Sequence, residues 1–155
     1  MVRLALVDEV PTIQAVEVVA GERFREIDDP RIARCADNPP YPADALERAV
    51  AEKRLWVAEE DATIVGFALG WIVDGEGHLD ELAVIPEYGR RGIGRALVDE
   101  VVAWTSAQGL PSITLTTFRD VPFNAPYYEK LGFRFERLIK LSGEGEELNL
   151  FASET

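Results

Sequence analysis

Residues 82–102 read LAVIPEYGRRGIGRALVDEVV. The branched apolar run Leu82–Ile85 has the composition of a strand, Pro86 and the three glycines Gly89, Gly92 and Gly94 form a turn, and Ile93, Leu97, Val101 and Trp104 recur at helical spacing. A strand that turns directly into an amphipathic helix is a unit of mixed architecture, so α/β or α+β is the class to expect. The turn also carries chemistry. Backbone N–H groups at a helix start are unpartnered and lie at the positive end of the helix dipole, a combination that binds phosphate. Gly92 and Gly94 let an anion reach the backbone with no Cβ in the way, and Arg90, Arg91 and Arg95 put three positive charges into a window, Tyr88 to Arg95, without an acidic residue. A tight connection with solvated arginines would look the same from sequence alone. The glycine order, G-x-x-G-x-G, is not the dinucleotide fingerprint G-x-G-x-x-G, and no G-K-[ST] follows.

Outward from this stretch the periodicity changes several times. Val2–Leu6 opens a strand, and Asp8 is placed to cap a helix carrying Ile13, Val16, Ala20, Phe24 and Ile27. Four prolines between Asp28 and Pro42 predict a loop, followed by a short helix with Leu46, Ala49 and Val50 on one side. Leu55–Glu59 and Thr63–Val73 are β-rich runs joined by a hairpin, and the turn Asp74–Gly77 leads into the strand His78–Ile85. After the helix, Gly109 and Pro111 are stop signals, and Ile113, Leu115 and Thr117 alternate as a strand. Pro122–Leu131 is a short helix ended by Gly132, with two strands expected on either side of Gly143–Glu144–Gly145. No linker or repeat interrupts the 155 residues, so one domain spanning 1–155 is expected, a mixed sheet with helices packed on it.

Composition narrows the partners. Apolar residues make up 47% of the chain, enough for a packed core. A net charge of -12 opposes nucleic acid and anionic membranes and raises the local concentration of cationic ligands. Cys35 is the single cysteine and His78 the single histidine, so neither an intrachain disulfide nor a Cys/His metal set is expected. The first residues lack the apolar core of a signal peptide, and no run has membrane-spanning length, which predicts a soluble, cytoplasmic protein.

The segment Leu82–Leu97 resembles the acyl-CoA signature of the GNAT superfamily of N-acyltransferases, a strand followed by a [QR]-x-x-G-x-[GA] pyrophosphate loop; Gly89 stands at the Gln/Arg position. A second segment, NAPYYEKLGF from Asn124 to Phe133, is similar to that family's final helix, in which the tyrosine of Y-x-x-x-G-F protonates the departing CoA thiolate. The spacing to Gly132 and Phe133 assigns this tyrosine as Tyr128, and Val121 stands where the family often has asparagine.

The resemblance implies a GNAT-like fold, a mostly antiparallel central sheet flanked by about four helices. It also implies acetyl-CoA as cosubstrate, and transfer of its acetyl group by direct attack of a primary amine, small molecule or peptide, in a ternary complex. Leu82, Ala83 and Val84 would hold the thioester and pantetheine arm by their backbone, and Arg90, Arg91, Gly92, Ile93, Gly94 and Arg95 the pyrophosphate. Asn124, four residues before Tyr128 and on the same helix face, would contact the CoA arm. The base acting on the amine through water would be His78 or, second, Asp80; by position these match a histidine of arylalkylamine acetyltransferases and a glutamate of polyamine acetyltransferases. Alternation puts both on the face of Leu82 and turns Glu81 away. A CoA-binding regulatory module without turnover is the alternative, which the retained Tyr128 argues against. A homodimer through the C-terminal strands is compatible with the resemblance.

Overall fold

The computed structural model describes residues 1–140 and 147–155. In chain order the elements are β1 (Val2–Leu4), α1 (Val10–Gly21), α2 (Pro30–Ala33), α3 (Ala43–Ala51), β2 (Leu55–Glu60), β3 (Thr63–Val73), β4 (Glu76–Val84), α4 (Ile93–Ala107), β5 (Ser112–Thr117), α5 (Ala125–Lys130), β6 (Arg134–Lys140) and β7 (Glu147–Glu154). The strands hydrogen-bond in the order β1-β2-β3-β4-β5-β7-β6. The sheet is mixed and mostly antiparallel, with a parallel step between β4 and β5. Among the described residues no helix is long and apolar enough to cross a membrane. The chain divides into two compact units, Met1–Gly70 with Glu81–Val101, and Trp71–Asp80 with Val102–Thr155.

In the first unit α1 and α3 each bury apolar residues on one side. Ile13 and Val16 of α1 and Leu46 and Ala49 of α3 pack on Leu55 and Val57 of β2, Phe67 and Leu69 of β3, and Ala83 of β4. Fully burying side chains of this size stabilises by about 1.5–3 kcal/mol each, which is what holds α1 and α3 on the strands. All of Leu55–Ala58 is buried, so β2 is covered on both faces.

The structure corrects the start of α1. Asp8 does not cap it; Asp8 lies inside a 3₁₀ turn, Val7–Glu9, and the helix begins at Val10 with Pro11 in its first turn. The Leu6 N–H donates instead to the Glu9 carboxylate at 2.8 Å, and Arg3 donates to both Glu9 oxygens at 3.0 and 2.6 Å and to Glu59 at 3.0 Å. A carboxylate reaching back three residues satisfies a helix-start donor as a side-chain cap would, and Arg3 ties it to β2.

The helix stops at Gly21, so Phe24 and Ile27 lie beyond it, Phe24 in a 3₁₀ turn, Glu22–Glu26. The stretch expected as a loop contains α2 and a further 3₁₀ turn, Arg34–Asp37. Asp29 accepts the Arg31 N–H at 2.9 Å and Pro30 occupies the first helical turn. Arg25 then bridges the two 3₁₀ turns, donating to Glu22 at 2.7 Å and Asp37 at 2.6 Å.

In the second unit Asp74 and Gly75 both take positive φ, 51° and 77°, so the β3–β4 hairpin closes in two residues and β4 starts at Glu76, ahead of the expected His78. A Cβ on Gly77 would overlap the side chain of Thr105, which fixes how closely α4 lies on β4. The parallel step is short: Gly77 pairs with Ile113 and His78 with Thr114. β5 pairs along its whole length with β7, which in turn pairs with β6 across a register shift between Phe135 and Arg137. The expected turn at Gly143–Gly145 lies outside the described residues. Helix α5 is shorter than Pro122–Leu131, beginning at Ala125 behind Asn124.

Candidate active site

The first unit carries the glycine and arginine turn. β4 ends at Val84, a 3₁₀ turn spans Pro86–Tyr88, and the Gly89 N–H donates to the Pro86 carbonyl at 3.0 Å. Two residues then take left-handed backbone, Arg90 at φ 61° and Gly92 at φ 78°. The first rung of α4 runs from the Ala96 N–H to the Gly92 carbonyl at 3.0 Å, so the N–H groups of Ile93, Gly94 and Arg95 precede the helical ladder. A Cβ built on Gly92 meets no atom within 4 Å, which leaves that side of the turn open to a ligand.

Arg90, Arg91 and Arg95 are exposed, and the Arg91 guanidinium lies 5.0 Å from the centroid of the Tyr88 ring, a cation–π contact that steadies its direction. Ile93, Leu97, Val98 and Val101 are buried and anchor the helix behind the turn. Ala83 is part of the core, while Leu82 and Val84 are half-buried. All residues expected to hold the cofactor, save Asn124, therefore lie on the strand–turn–helix run 82–102.

The second unit carries His78, Asp80, Asn124 and Tyr128. His78 is half-buried on β4 and its Nδ1 lies 2.9 Å from Thr114 Oγ1 on the adjacent strand. Burial pushes the imidazole below its ordinary value, and the Asp80 carboxylate two residues on pulls part of the way back. The ring is thus biased to neutral, the form able to accept a proton. Asp80 itself is exposed and Glu81 half-buried.

The ring of Tyr128 meets Tyr127 edge-on, with centroids 5.4 Å apart, and Phe133, with centroids 6.0 Å apart. The Tyr128 N–H donates to the Asn124 carbonyl at 3.0 Å, and the Phe133 N–H to the Tyr128 carbonyl at 3.1 Å. Asn124 Oδ1 accepts the Thr117 hydroxyl at 2.6 Å and faces the Phe118 N–H at 3.4 Å, so its carboxamide oxygen locks the start of α5 to the end of β5. Contact with a CoA arm would fall to Nδ2. Val121 is fully buried, an apolar side chain in the core of this unit. A groove of about 560 Å³ opens beside β5, lined among others by Glu76, Ser112, Thr114, Arg134, Glu136 and Glu154.

The sequence profile described as the acetyltransferase (GNAT) family matches residues 22–133. The chain belongs to the GNAT acetyltransferase family. It is similar to the probable N-acetyltransferase 14 of Danio rerio, 29% identical over 92 residues, 58% of this chain and 33% of the relative. It is also similar to the glucosamine 6-phosphate N-acetyltransferase of Trypanosoma brucei brucei, 33% identical over 66 residues, 42% of this chain and 43% of the relative. The matched stretches thus span less than half the length of these curated relatives. Among solved structures, the fold matches the PaiA N-acetyltransferase of Thermoplasma acidophilum in complex with coenzyme A, with a TM-score of 0.77, 18% identity, and coverage of 100% of this chain and 98% of that one. The ribosomal-protein-alanine N-acetyltransferase of Brucella melitensis matches with a TM-score of 0.74, 16% identity, and coverage of 100% and 99%.

Two residues of this GNAT chain did not emerge from its sequence. Thr117 could have been noticed as a hydroxyl seven residues before Asn124. Thr114 could not, since its partnership with His78 depends on the parallel register of β4 and β5, and no local pattern encodes that register.

Proposed function

We propose that the protein is an N-acetyltransferase that moves the acetyl group of acetyl-CoA to a primary amine by direct attack within a ternary complex. The observation that carries this reading is Tyr128, retained at the Y-x-x-x-G-F spacing and held on α5 by aromatic contacts on Tyr127 and Phe133. A binding module without turnover has no use for a donor at that position. The Arg90–Arg95 turn binds the pyrophosphate through backbone N–H groups and the backbone of Leu82–Val84 takes the thioester arm.

His78, neutral above its lowered pKa, takes the proton of the ammonium through water. Asp80 is the second candidate for that step. The amine nitrogen then adds to the thioester carbonyl, the C–S bond breaks, the Tyr128 hydroxyl protonates the sulfur, and the proton shed by the new amide nitrogen passes through water to restore the tyrosine. The acceptor is a cationic amine. The groove beside Thr114 presents Glu76, Glu136 and Glu154 against the single guanidinium of Arg134, and the chain as a whole carries a charge of -12.

The test is CoA thiol release from acetyl-CoA over a panel of sugar amines, polyamines and peptides with free N-termini. Turnover is expected with at least one amine, and kcat/KM should fall on the acid side with an apparent pKa below about 6.5, the ordinary value for histidine. Binding of CoA without thiol release from any amine would defeat the proposal. An acid limb that survives His78→Gln would move the base to Asp80.

A further inference from the structure

We propose that Thr114 is a positioning residue that fixes the tautomer of His78, keeping Nδ1 protonated so that Nε2 carries the lone pair. This rests on the reading of His78 as the base. A neutral imidazole has one N–H and one lone pair, and which nitrogen holds which is decided by the partner of the fixed nitrogen. Here the fixed nitrogen is Nδ1, 2.9 Å from Thr114 Oγ1, and the two residues are directly paired across the parallel step.

The Thr114 hydroxyl has a single proton, and it donates it to the Gly77 carbonyl at 3.3 Å. With its proton committed there, Oγ1 accepts from Nδ1–H. The donors then run in one direction, from imidazole to hydroxyl to carbonyl, and each bond polarises the next. Thr114 is 5% exposed, so water does not compete freely for its oxygen.

The arrangement also survives the reaction step. When Nε2 takes a proton the ring becomes imidazolium, and Nδ1–H continues to donate to the same oxygen. In the opposite tautomer the hydroxyl would point its proton at Nδ1, its bond to the Gly77 carbonyl would be lost, and proton uptake would require the hydroxyl to turn. The charged groups on the ring's own strand are Glu76, which accepts the Ser112 hydroxyl at 3.2 Å, Asp80 and Glu81. Residues 71–73 of β3 and 112–116 of β5 contribute no charge, and Glu154 stands across from Ser112 on β7. The hydroxyl of Thr114 is therefore the group shown at hydrogen-bond distance from Nδ1, while the Asp80 carboxylate acts on the charge of the ring as a whole.

Because the chain has one histidine, its tautomer can be read without assignment from the long-range ¹⁵N–¹H spectrum of the imidazole. The wild-type protein above its histidine titration should show the Nδ1–H form. Thr114→Val, which keeps the shape and removes the hydroxyl, should shift the signal toward Nε2–H and lower kcat roughly tenfold, part of the 10²–10⁴ that a positioned base supplies. The KM for acetyl-CoA should not change. Thr114→Ser, which retains the hydroxyl, should restore both the tautomer and most of the rate. A wild-type Nε2–H spectrum overturns the proposal, as does wild-type kcat in Thr114→Val or failure of Thr114→Ser to recover what valine loses. If His78→Gln keeps the wild-type kcat, the base reading fails on its own while the spectrum still decides the tautomer.

Discussion

Tyr128→Phe keeps the ring and both of its edge-on contacts and removes one oxygen. A CoA thiolate with an ordinary thiol pKa near 8.5 leaves without a proton at some cost, so the loss should be partial: kcat down roughly tenfold or more, with acetyl-CoA affinity and stability nearly unchanged. Tyr127→Phe is the control, since the next residue of a helix points about 100° away. Steady-state kinetics on the best amine of the panel decides between them; a slow Tyr127→Phe beside a normal Tyr128→Phe would shift the assignment by one residue. At this scale the sequence was informative about residue types and silent about partners. Tyr128 and His78 announce themselves by rarity and spacing. Thr114, in an alternating strand of a kind found in any sheet, acquires a role only when the chain between residues 78 and 114 brings it alongside. The same holds for Asn124, whose carboxamide oxygen is committed to Thr117 and Phe118 in a way no spacing rule reveals.

Among the elements, the start of α1 is one whose stability should respond to pH. Arg3 holds the Glu9 carboxyl below the usual carboxylate range, by hydrogen bonding first and charge second. A depressed carboxylate means that the unfolded chain binds the proton more readily. Its contribution is therefore complete above the ordinary value near 4.5 and disappears as pH falls from there through the lower folded value. Glu9→Gln should cost about 1 kcal/mol at pH 7, the scale of one charge-assisted hydrogen bond in a half-open setting, and should flatten the acid side of the stability curve. Urea unfolding at pH 7 and pH 3.5 measures both; equal losses at the two values would remove the charge argument.

The long elements were legible because they repeat: α1, α3 and α4 carry several turns of apolar period, and β2 and β3 are continuous β-rich runs. The segment from Asp28 to Pro42 was not, because its four prolines outweigh the pairing of Asp29 with Pro30 that marks a helix start. A single-turn helix has no periodicity to detect. Its neighbours are held by Arg25 reaching Asp37 twelve residues away, which is long-range information.

For the whole molecule, charge is the property the sequence reports most directly. A chain at -12 with an acidic groove should gather cationic acceptors, and kcat/KM for such an amine should fall severalfold as salt rises past about 0.1 M, where the screening length is roughly 10 Å. A flat salt dependence, or an anionic best substrate, would count against a cationic acceptor. Against this charge stands the arginine turn, and within it Arg90, which bears a side chain in left-handed backbone that glycine adopts freely. Natural sequences tolerate such a misfit where the side chain is needed more than the energy it forfeits. Arg90→Gly should therefore raise the melting temperature by about 2 °C, worth roughly 1 kcal/mol in a chain of this size, while CoA binds more weakly for want of one positive charge. Robustness and ligand affinity would then be antagonists at one backbone angle, and a search for hardier variants of this protein would count among its gains a residue on which the proposed CoA site depends.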